Sequence, residues 1–337
     1  MRIFSGIQPT GRKHLGNYIG AIRQYVEGQE RAAAAGDVGI FCIVDLHAMT
    51  VPYDPAEMRE RVYDTAAILL AAGLHPEQCI FFRQSDVPEH TELTWHLGTL
   101  CAHGDLNRMT QFKDKSAQQR ELVSAGLFFY PVLQAADVLA YRAHEVPVGE
   151  DQRQHIELMR DIAQRFNQRF AEALVVPEHR IPAVGARIMD LQDPTRKMST
   201  TNSTPEGTIY VLDTAKDVEK KFKRAVTDSD DPPLIRRAPE KPGVANLIDI
   251  LAVASERTPE QVEVDLAGAR GYGDLKGATA DAVNGMLAPV RDRYDDLRAD
   301  EDRLEATLAA GAEKARAIAA DTLVDVRRAM GIGPRSR

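Results

Sequence analysis

Cysteine is scarce in this chain of 337 residues, which contains only Cys42, Cys79 and Cys101. The three are far apart, odd in number and without metal-ligand spacing, so neither a complete disulfide framework nor a metal site is expected. Long apolar runs are also missing, since the longest uncharged segment, residues 122–136, is too short to span a bilayer. The first residues show no cleavable leader. We therefore expect a protein of the reducing cytoplasm.

An excess of positive charge is missing as well. The chain has 42 Lys and Arg against 50 Asp and Glu, a net charge of −8. Proteins that bind nucleic acid nonspecifically are usually basic throughout, so any contact with RNA must be a local basic patch. The helix predicted over residues 213–226 carries such a run between Lys216 and Arg224, which is either a solvated face or a contact for RNA phosphates. An acidic enzyme without a nucleic-acid partner is also compatible with the composition.

Short apolar strands alternate with helical patterns in the first half of the chain. Residues 2–5, 39–44, 79–84 and 145–148 have the length and composition of strands. Between them, Asp54 and Pro55 begin a capped helical pattern that ends at Gly73. Strands that are apolar on both faces and alternate with helices predict an α/β fold with a Rossmann-like, doubly wound parallel sheet.

The pattern changes after about Pro177, and the length of the chain predicts two domains. Residues 178–207 are expected to be rich in loops, and residues 231–243, with four prolines, to be a connector. Beyond them the chain is helical, with an apolar seam in residues 282–297 and a last helix, 312–330, that ends at Gly331. We expect an α/β domain over residues 1–207 and a helical domain over 208–337, with a last helix that can also pack back on the first domain.

A turn with two glycines and a proline follows the first strand. Residues 5–17 are Ser-Gly-Ile-Gln-Pro-Thr-Gly-Arg-Lys-His-Leu-Gly-Asn. A helix that begins near Gly16 and Asn17 would direct free backbone N–H groups and its positive end at a phosphate. His14 can donate to a phosphate oxygen, and Gly16 leaves room for a flat base against the backbone. An ordinary β–α turn explains the same spacing, and the Gly-Lys-Ser/Thr of a Walker loop is missing.

A second segment suits phosphate chemistry. Lys197 is followed by Met198, Ser199, Thr200 and Thr201. A lysine among small hydroxyl residues on a loop can neutralise a departing pyrophosphate in the transition state. A solvated basic loop is the alternative.

Together the two segments resemble the signature motifs of class I aminoacyl-tRNA synthetases. His-Leu-Gly-Asn at 14–17 is similar to His-Ile-Gly-His, and Lys-Met-Ser-Thr-Thr at 197–201 to Lys-Met-Ser-Lys-Ser. Three segments resemble the bacterial tryptophan enzymes of that class: Phe-Ser-Gly-Ile-Gln-Pro-Thr-Gly at 4–11, Tyr-Pro-Val-Leu-Gln-Ala-Ala-Asp at 130–137 and Val-Pro-Val-Gly-Glu-Asp-Gln-Arg-Gln-His-Ile-Glu at 146–157. Residues 109–116 and 225–229 fit as well, so the similarity covers nearly the whole chain.

The resemblance implies roles for individual positions. The positions that match contacts to ATP are Gln8, Pro9, Thr10, Gly16, Asn17, Gly149, Glu150, Asp151, Ile188, Lys197, Met198, Ser199, Thr200 and Thr201. The positions that match the tryptophan pocket are Phe4, Gly6, Gln8, His47, Tyr130, Asp137, Val146, Val148 and Gln152. Among these, Asp137 matches the carboxylate that accepts the indole N–H, Gln152 the residue at the polar end of the amino acid, and Ile188 a neighbour of adenine. The expected catalytic residues are His14, Lys113 and Lys197, and Lys113 matches a second lysine directed at the ATP phosphates.

Each role has a structural alternative. Asp137 can instead be a helix cap or half of a structural ion pair, and His47 a core imidazole at a strand end. Tyr130, Phe4 and the valines can be ordinary core residues, and Lys113 a surface lysine.

The sequence departs from the family pattern at three positions. Asn17 replaces the second histidine, as it often does in tryptophan enzymes, and Gln134 stands where many relatives have a methionine against the indole. Thr200 replaces the second lysine of the loop, so one of the charges expected on pyrophosphate is missing. Arg196 and Lys113 are candidates to compensate for it.

The resemblance implies a tryptophan–tRNA ligase that uses ATP with Mg²⁺ and no metal held by the protein. It further implies a homodimer whose helical domain recognises the anticodon of tRNA(Trp). A tyrosine-specific class I synthetase is one alternative. The other, suggested by Thr200, is a regulatory paralogue that binds tryptophan or its adenylate without charging tRNA.

Overall fold

A computed structural model of the chain describes residues 1–110, 123–149, 152–180, 187–199, 204–230 and 233–333. The chain forms two compact units. The first comprises Met1–Thr10, Tyr25–Ile181 and Asp300–Arg337, and the second comprises Gly11–Gln24 and Pro182–Ala299.

The first unit is built on a five-stranded parallel sheet with the strand order 3-2-1-4-5. Its strands are β1 Ile3–Ile7, β2 Gly39–Ile43, β3 Cys79–Arg83, β4 Glu145–Pro147 and β5 Glu178–Arg180. All five residues of β2 are buried, because helices cover both faces of the sheet. The predicted doubly wound parallel sheet is confirmed.

Four of the five strands lie where the apolar runs predict them. β5 is the exception, because residues 178–180 were expected to belong to a loop-rich region. Its sequence, Glu-His-Arg, is polar and mostly exposed at the edge of the sheet. An edge strand of this kind is held by its backbone pairing with β4, so no apolar pattern marks it in the sequence.

Two helix ends lie at predicted signals, whereas the last helix begins at Glu301, before its predicted start at residue 312. Asp54 caps its helix by accepting the N–H groups of Ala56 and Glu57, and Gly331 ends the last helix in the left-handed conformation, with φ of 72°. The helices are α1 Leu15–Asn17, α2 Arg23–Ala34, α3 Asp45–Ala48, α4 Pro55–Ala71, α5 Glu89–Gly98, α6 His103–Asn107, α7 Ala125–Leu139, α8 Arg153–Arg169, α9 Ala215–Lys223, α10 Pro242–Ala254, α11 Pro259–Asp265, α12 Tyr272–Arg298 and α13 Glu301–Met330. A π-helical turn, Tyr18–Ile22, joins α1 to α2, and a 3₁₀ turn, Gln84–Asp86, follows β3.

The last helix, α13, belongs to the first unit and packs on β3. Gly311 makes this close approach possible, because a Cβ at that position would lie 1.7 Å from the carbonyl oxygen of Phe81. Arg83 adds a polar contact by donating to both carboxylate oxygens of Glu305, at 3.1 and 2.8 Å.

The second unit is mainly helical. Its core includes the predicted seam on α12, where Val283, Leu287 and Val290 are buried. Two other helices of this unit, α9 and α10, both contact α12.

Candidate active site

The positions predicted to line the tryptophan pocket gather in the first unit, where the strand order reverses. β1 lies between β2 and β4, and doubly wound sheets bind ligands at the carboxyl ends of strands beside such a point. Phe4 and Gly6 lie on β1, Val146 on β4, and Val148 just after it. A Cβ at Gly6 would lie 2.8 Å from Val44 Cγ1, so Val44 packs there only against a glycine, and Gly6 is the one exposed residue of β1.

Asp137, on α7, is surrounded by nitrogen atoms from three other segments. Nε2 of His47 lies 2.7 Å from Oδ2, Nε2 of Gln84 donates to Oδ1 at 2.6 Å, and Nδ1 of His90 lies 2.8 Å from Oδ1. The residue is only 1% exposed. Burial alone would raise the pKa of this carboxyl, but His47 and the hydrogen bonds from both histidines hold that pKa well below its ordinary value. Asp137 is therefore an ionised, buried acceptor.

Tyr130 and Gln152 lie on the elements around Asp137. The Tyr130 hydroxyl lies 2.8 Å from Nε2 of His155, and burial raises the pKa of Tyr130 to about 12, so it keeps its proton at neutral pH. The backbone N–H of Gln152 donates to the carbonyl of Gly149 at 2.9 Å. Nε2 of Gln134 lies 3.4 Å from Oε1 of Gln152. The unusual glutamine at 134 thus contacts the residue predicted to bind the polar end of the amino acid.

The positions predicted to bind ATP are divided between the two units. In the first unit, Gln8, Pro9 and Thr10 directly follow β1, and Gly149 follows β4. The remaining described positions, His14, Gly16, Asn17, Ile188, Lys197, Met198 and Ser199, lie in the second unit.

His14 is the N-cap of α1. Its Nδ1 accepts the backbone N–H of Asn17 at 3.3 Å, and Oδ1 of Asn17 accepts the N–H of His14 at 3.1 Å. These two bonds form a capping box. Because Nδ1 is an acceptor, the single proton of the neutral ring resides on Nε2. The turn is also held by the N–H of Leu15, which donates to the carbonyl of Ile209 at 2.8 Å.

The surroundings of His14 disfavour a positive charge on its ring. Burial, then Lys197 and Lys13, lower its pKa to about 4. The cap and the surroundings thus favour the same state, a neutral imidazole with a donor at Nε2. A Cβ at Gly16 would lie 3.1 Å from His14 Cε1 and 3.7 Å from Ile188 Cβ, so bare backbone runs between these two side chains.

Lys197 is carried on a short antiparallel pairing. It forms an isolated bridge with Met189, and the N–H of Met198 donates to the carbonyl of Ile188 at 2.9 Å. Ile188 and Met198 are both buried. The pairing therefore holds Lys197, the residue predicted to contact phosphate, close to Ile188, the predicted neighbour of adenine.

Asn246, on α10, fixes this segment and was missed in the sequence. Its Oδ1 accepts the N–H of Met189 at 2.9 Å, and its Nδ2 donates to the carbonyl of the same residue at 3.0 Å. Asp190 fixes the next turn by accepting the N–H groups of Gln192 and Asp193. An asparagine on the apolar side of a mostly apolar helix is the signal that could have identified Asn246.

Gln84 and His90 were also missed, although both contact Asp137. Gln84 directly follows β3, just as His47 follows β2, so a polar side chain stands near the carboxyl end of each strand. That position in a parallel sheet is the signal that could have identified Gln84. His90 lies between Glu89 and Thr91 in the first turn of α5 and carries no comparable signal.

Five predicted site residues lie outside the described residues, namely Lys113, Glu150, Asp151, Thr200 and Thr201.

The basic run on α9 is partly structural. Lys221 donates to Oδ2 of Asp213 and to the carbonyl of Thr208, at 2.5 and 2.8 Å. The other basic residues of the run are exposed, and these are Lys216, Lys220, Lys223 and Arg224.

In the described ranges, no group of three or more His, Cys, Asp or Glu side chains could hold a metal ion. The three cysteines are free thiols. Among the same residues, no helix combines the length and the apolar character needed to cross a membrane.

Comparison with known proteins identifies the family. The model of the tRNA synthetases class I (W and Y) matches residues 1–288. The Tryptophan--tRNA ligase 2 of Streptomyces avermitilis is 50% identical over 336 residues, which cover 99% of this chain and 97% of that protein.

Solved structures agree. The tryptophanyl-tRNA synthetase from Mycoplasma pneumoniae has a TM-score of 0.89 and 35% identity, over 98% of both chains. The enzyme from Campylobacter jejuni, complexed with ADP and tryptophan, has a TM-score of 0.81 and 33% identity, over 98% of this chain and 100% of that one. The chain therefore belongs to the class I tRNA synthetases of the tryptophan and tyrosine family.

Proposed function

We propose that this chain is a tryptophan–tRNA ligase, which activates L-tryptophan with ATP and transfers it to tRNA(Trp). The observation that carries the proposal is Asp137, an ionised carboxylate that is 1% exposed and is hydrogen-bonded by side chains that follow β2 and β3. The family includes enzymes for tryptophan and for tyrosine, and the 50% identity to a tryptophan–tRNA ligase supports the former.

Selection for tryptophan follows from the cost of an unsatisfied buried acceptor. The indole N–H would donate to Asp137, whereas phenylalanine offers no donor at that point. A site built to bond a substrate N–H rejects analogues that lack it far more strongly than shape alone can. Phe4, Gly6, His47, Tyr130, Val146 and Val148 would form the walls around the ring, and Gln8 and Gln152 would bind the polar end.

Activation joins the tryptophan carboxylate to the α-phosphorus of ATP. The carboxylate attacks in line, the new C–O–P bond forms, and the bond to the β-phosphate oxygen breaks to release pyrophosphate. The nucleophile is already ionised, so no protein base is needed, and positioning and electrostatics supply the catalysis. Nε2–H of neutral His14 would donate to a phosphate oxygen, and Lys197 would neutralise the departing pyrophosphate.

The other predicted contacts would hold the nucleotide. Among the described residues they are Pro9, Thr10, Gly16, Asn17, Gly149 and Ile188, with Met198 and Ser199 on the loop. Five more are assigned from sequence, namely Lys113, Glu150, Asp151, Thr200 and Thr201. Mg²⁺ would arrive with ATP as part of the substrate, since phosphate oxygens and water are its preferred ligands.

In the second step, a hydroxyl of the terminal ribose of tRNA attacks the carbonyl carbon of the adenylate, and AMP leaves. The helical region, residues 208–337, would recognise the anticodon. We also propose a homodimer in the cytoplasm. Trp95 is the only tryptophan in the chain and is 72% exposed on α5, so its fluorescence can report whether dimerisation covers that face.

Amino-acid-dependent exchange of pyrophosphate into ATP tests the proposal. Exchange should require tryptophan, and tyrosine and phenylalanine should support it at least about a thousandfold less well in kcat/KM. Preference for tyrosine would make the chain the tyrosine-specific member of the family. The result would overturn the proposal.

Thr200 calls for a separate test, because a threonine in place of the second lysine of the loop motivates the non-charging alternative. A Thr200→Lys variant restores the second lysine of the loop. If the lost charge limits activation, exchange in the variant should be faster by about tenfold or more. Tryptophan binding without exchange in either protein would favour a regulatory paralogue.

A further inference from the structure

The neighbours of Asp137 leave an acceptor position of Oδ2 open. An ionised carboxylate has about four lone-pair sites, two on each oxygen. Nitrogen atoms of Gln84 and His90 lie 2.6 and 2.8 Å from Oδ1. Within the described residues, only Nε2 of His47 lies against Oδ2, at 2.7 Å. Oδ1 thus faces two protein nitrogens, of which the Gln84 amide donates to it, whereas Oδ2 faces one and has room for another donor.

Gln84 holds its donor in a fixed direction. Its Oε1 accepts the backbone N–H of Leu46 at 3.1 Å while its Nε2 donates to Asp137. The side chain is fully buried. Because both ends of the amide are bonded, it cannot turn over without losing both bonds. The same amide links Asp137 to the backbone beside His47, the donor on the other oxygen.

His90 is oriented by Tyr141 in the same way. Nε2 of His90 is hydrogen-bonded to the Tyr141 hydroxyl, and both residues are fully buried. Burial raises the pKa of Tyr141 well above its ordinary value, so the hydroxyl keeps its proton. The other ring nitrogen, Nδ1, is thereby held beside Oδ1 of Asp137, at 2.8 Å.

We propose that Gln84, by its hydrogen bond, and His90, by its close contact, are positioning residues that hold Oδ1 of Asp137 and so reserve the open lone pair of Oδ2 for the indole N–H of tryptophan. The inference rests on the proposed function and assigns its specificity to residues that do not themselves contact substrate. Without these contacts the carboxylate can rotate. Both of its oxygens then have open lone pairs, so the indole N–H is no longer directed to Oδ2 alone.

The test compares two ligands that differ at the indole nitrogen. The probes are L-tryptophan and β-(3-benzothienyl)alanine, in which sulfur replaces the N–H. Isothermal titration gives the dissociation constant of each for the unaltered chain and for a Gln84→Met variant. The ratio of the two constants isolates the bond to the N–H, because general damage to the pocket weakens both ligands alike.

In the unaltered chain tryptophan should bind more tightly than the analogue, and Gln84→Met should reduce that preference by about tenfold or more. A Tyr141→Phe variant removes only the hydroxyl behind His90 and should reduce it by about threefold. Gln29→Met is the matched control, since Gln29 is also buried and accepts a backbone N–H, that of His75 at 2.7 Å. It should leave the preference unchanged.

Equal weakening of both ligands in the Gln84 and Tyr141 variants would overturn the inference and leave only a structural role. If Gln84→Met does not fold, the preference measured in Tyr141→Phe decides alone. The proposed function fails separately, because it requires pyrophosphate exchange by the unaltered chain, whereas these titrations require binding only. A chain that binds neither ligand would contradict both.

Discussion

His14 should remain neutral well below the pH at which an ordinary histidine is protonated. Its Nδ1 caps α1 by accepting the N–H of Asn17. A proton on Nδ1 would place a second N–H donor against that of Asn17 and break the bond. Burial and the charges of Lys197 and Lys13 act in the same direction and lower the pKa to about 4, from an ordinary value of 6.5. The donor that it offers to phosphate is therefore Nε2–H throughout the neutral range.

The size of the effect follows from the two pKa values. At about pH 5 an ordinary histidine is almost fully protonated, whereas a group with a pKa of about 4 is protonated in about one molecule in ten. Between these pKa values the unfolded chain binds a proton that the folded chain does not. The contribution of His14 to stability is therefore complete above about pH 6.5 and decreases as the pH falls, by about 2 kcal/mol at about pH 5.

Nitrogen-15 NMR of histidine-labelled protein measures this directly. The chain has 9 histidines, and a His14→Asn variant, which retains a good N-cap residue, assigns the resonance by its loss. We expect an Nε2-protonated neutral ring with a titration midpoint near about pH 4. A midpoint near that of free histidine, or a neutral ring protonated at Nδ1, would refute the reasoning.

Three further predictions concern other parts of the molecule. Asp137→Asn should weaken tryptophan binding by about tenfold or more and lower the free energy of unfolding by about 3 kcal/mol, because buried donors lose their anion; titration calorimetry and urea unfolding measure both, and unchanged binding would contradict the assignment. Lys197→Ala should reduce kcat for pyrophosphate exchange by about a hundredfold with little change in the KM for ATP, since its charge acts in the transition state; a change in KM alone would place it in ground-state binding. Gly311→Ala should destabilise the protein by about 2 kcal/mol because its Cβ would meet the carbonyl of Phe81, whereas Gly285→Ala, with no atom within 4 Å of the added Cβ, should stabilise it by about 1 kcal/mol. Thermal unfolding of the two glycine variants should therefore shift in opposite directions, and shifts of the same sign would contradict the packing of α13 on β3.

Local sequence signals predicted much of the fold. β2 and β3 are apolar runs buried on both faces, and the helix from Pro55 is marked by its cap, so propensity and packing agree there. β5 could not be predicted in this way, because polar edge residues are held only by pairing with a strand that is distant in sequence.

The candidate site, like the fold, could be predicted only in part from the sequence. The family resemblance is confirmed, and it drew attention to residues assigned to substrate, such as Asp137 and His14. Gln84, His90 and Asn246 contact other protein groups, and the identity of those partners, 53, 47 and 57 residues away, is known only when the chain is folded. The sequence around each residue does not show which distant group it will contact.

Charging of tRNA is the measurement that tests the central claim most directly. Purified protein should attach labelled tryptophan to a tRNA(Trp) transcript in the presence of ATP and Mg²⁺, and should not charge a transcript that lacks its terminal adenosine. Tryptophan should not be attached to tRNA(Tyr), nor tyrosine to either tRNA. Tight binding of tryptophan and ATP with no charged tRNA(Trp) would contradict the assignment as a ligase and identify the chain as a paralogue that binds these substrates without completing the reaction.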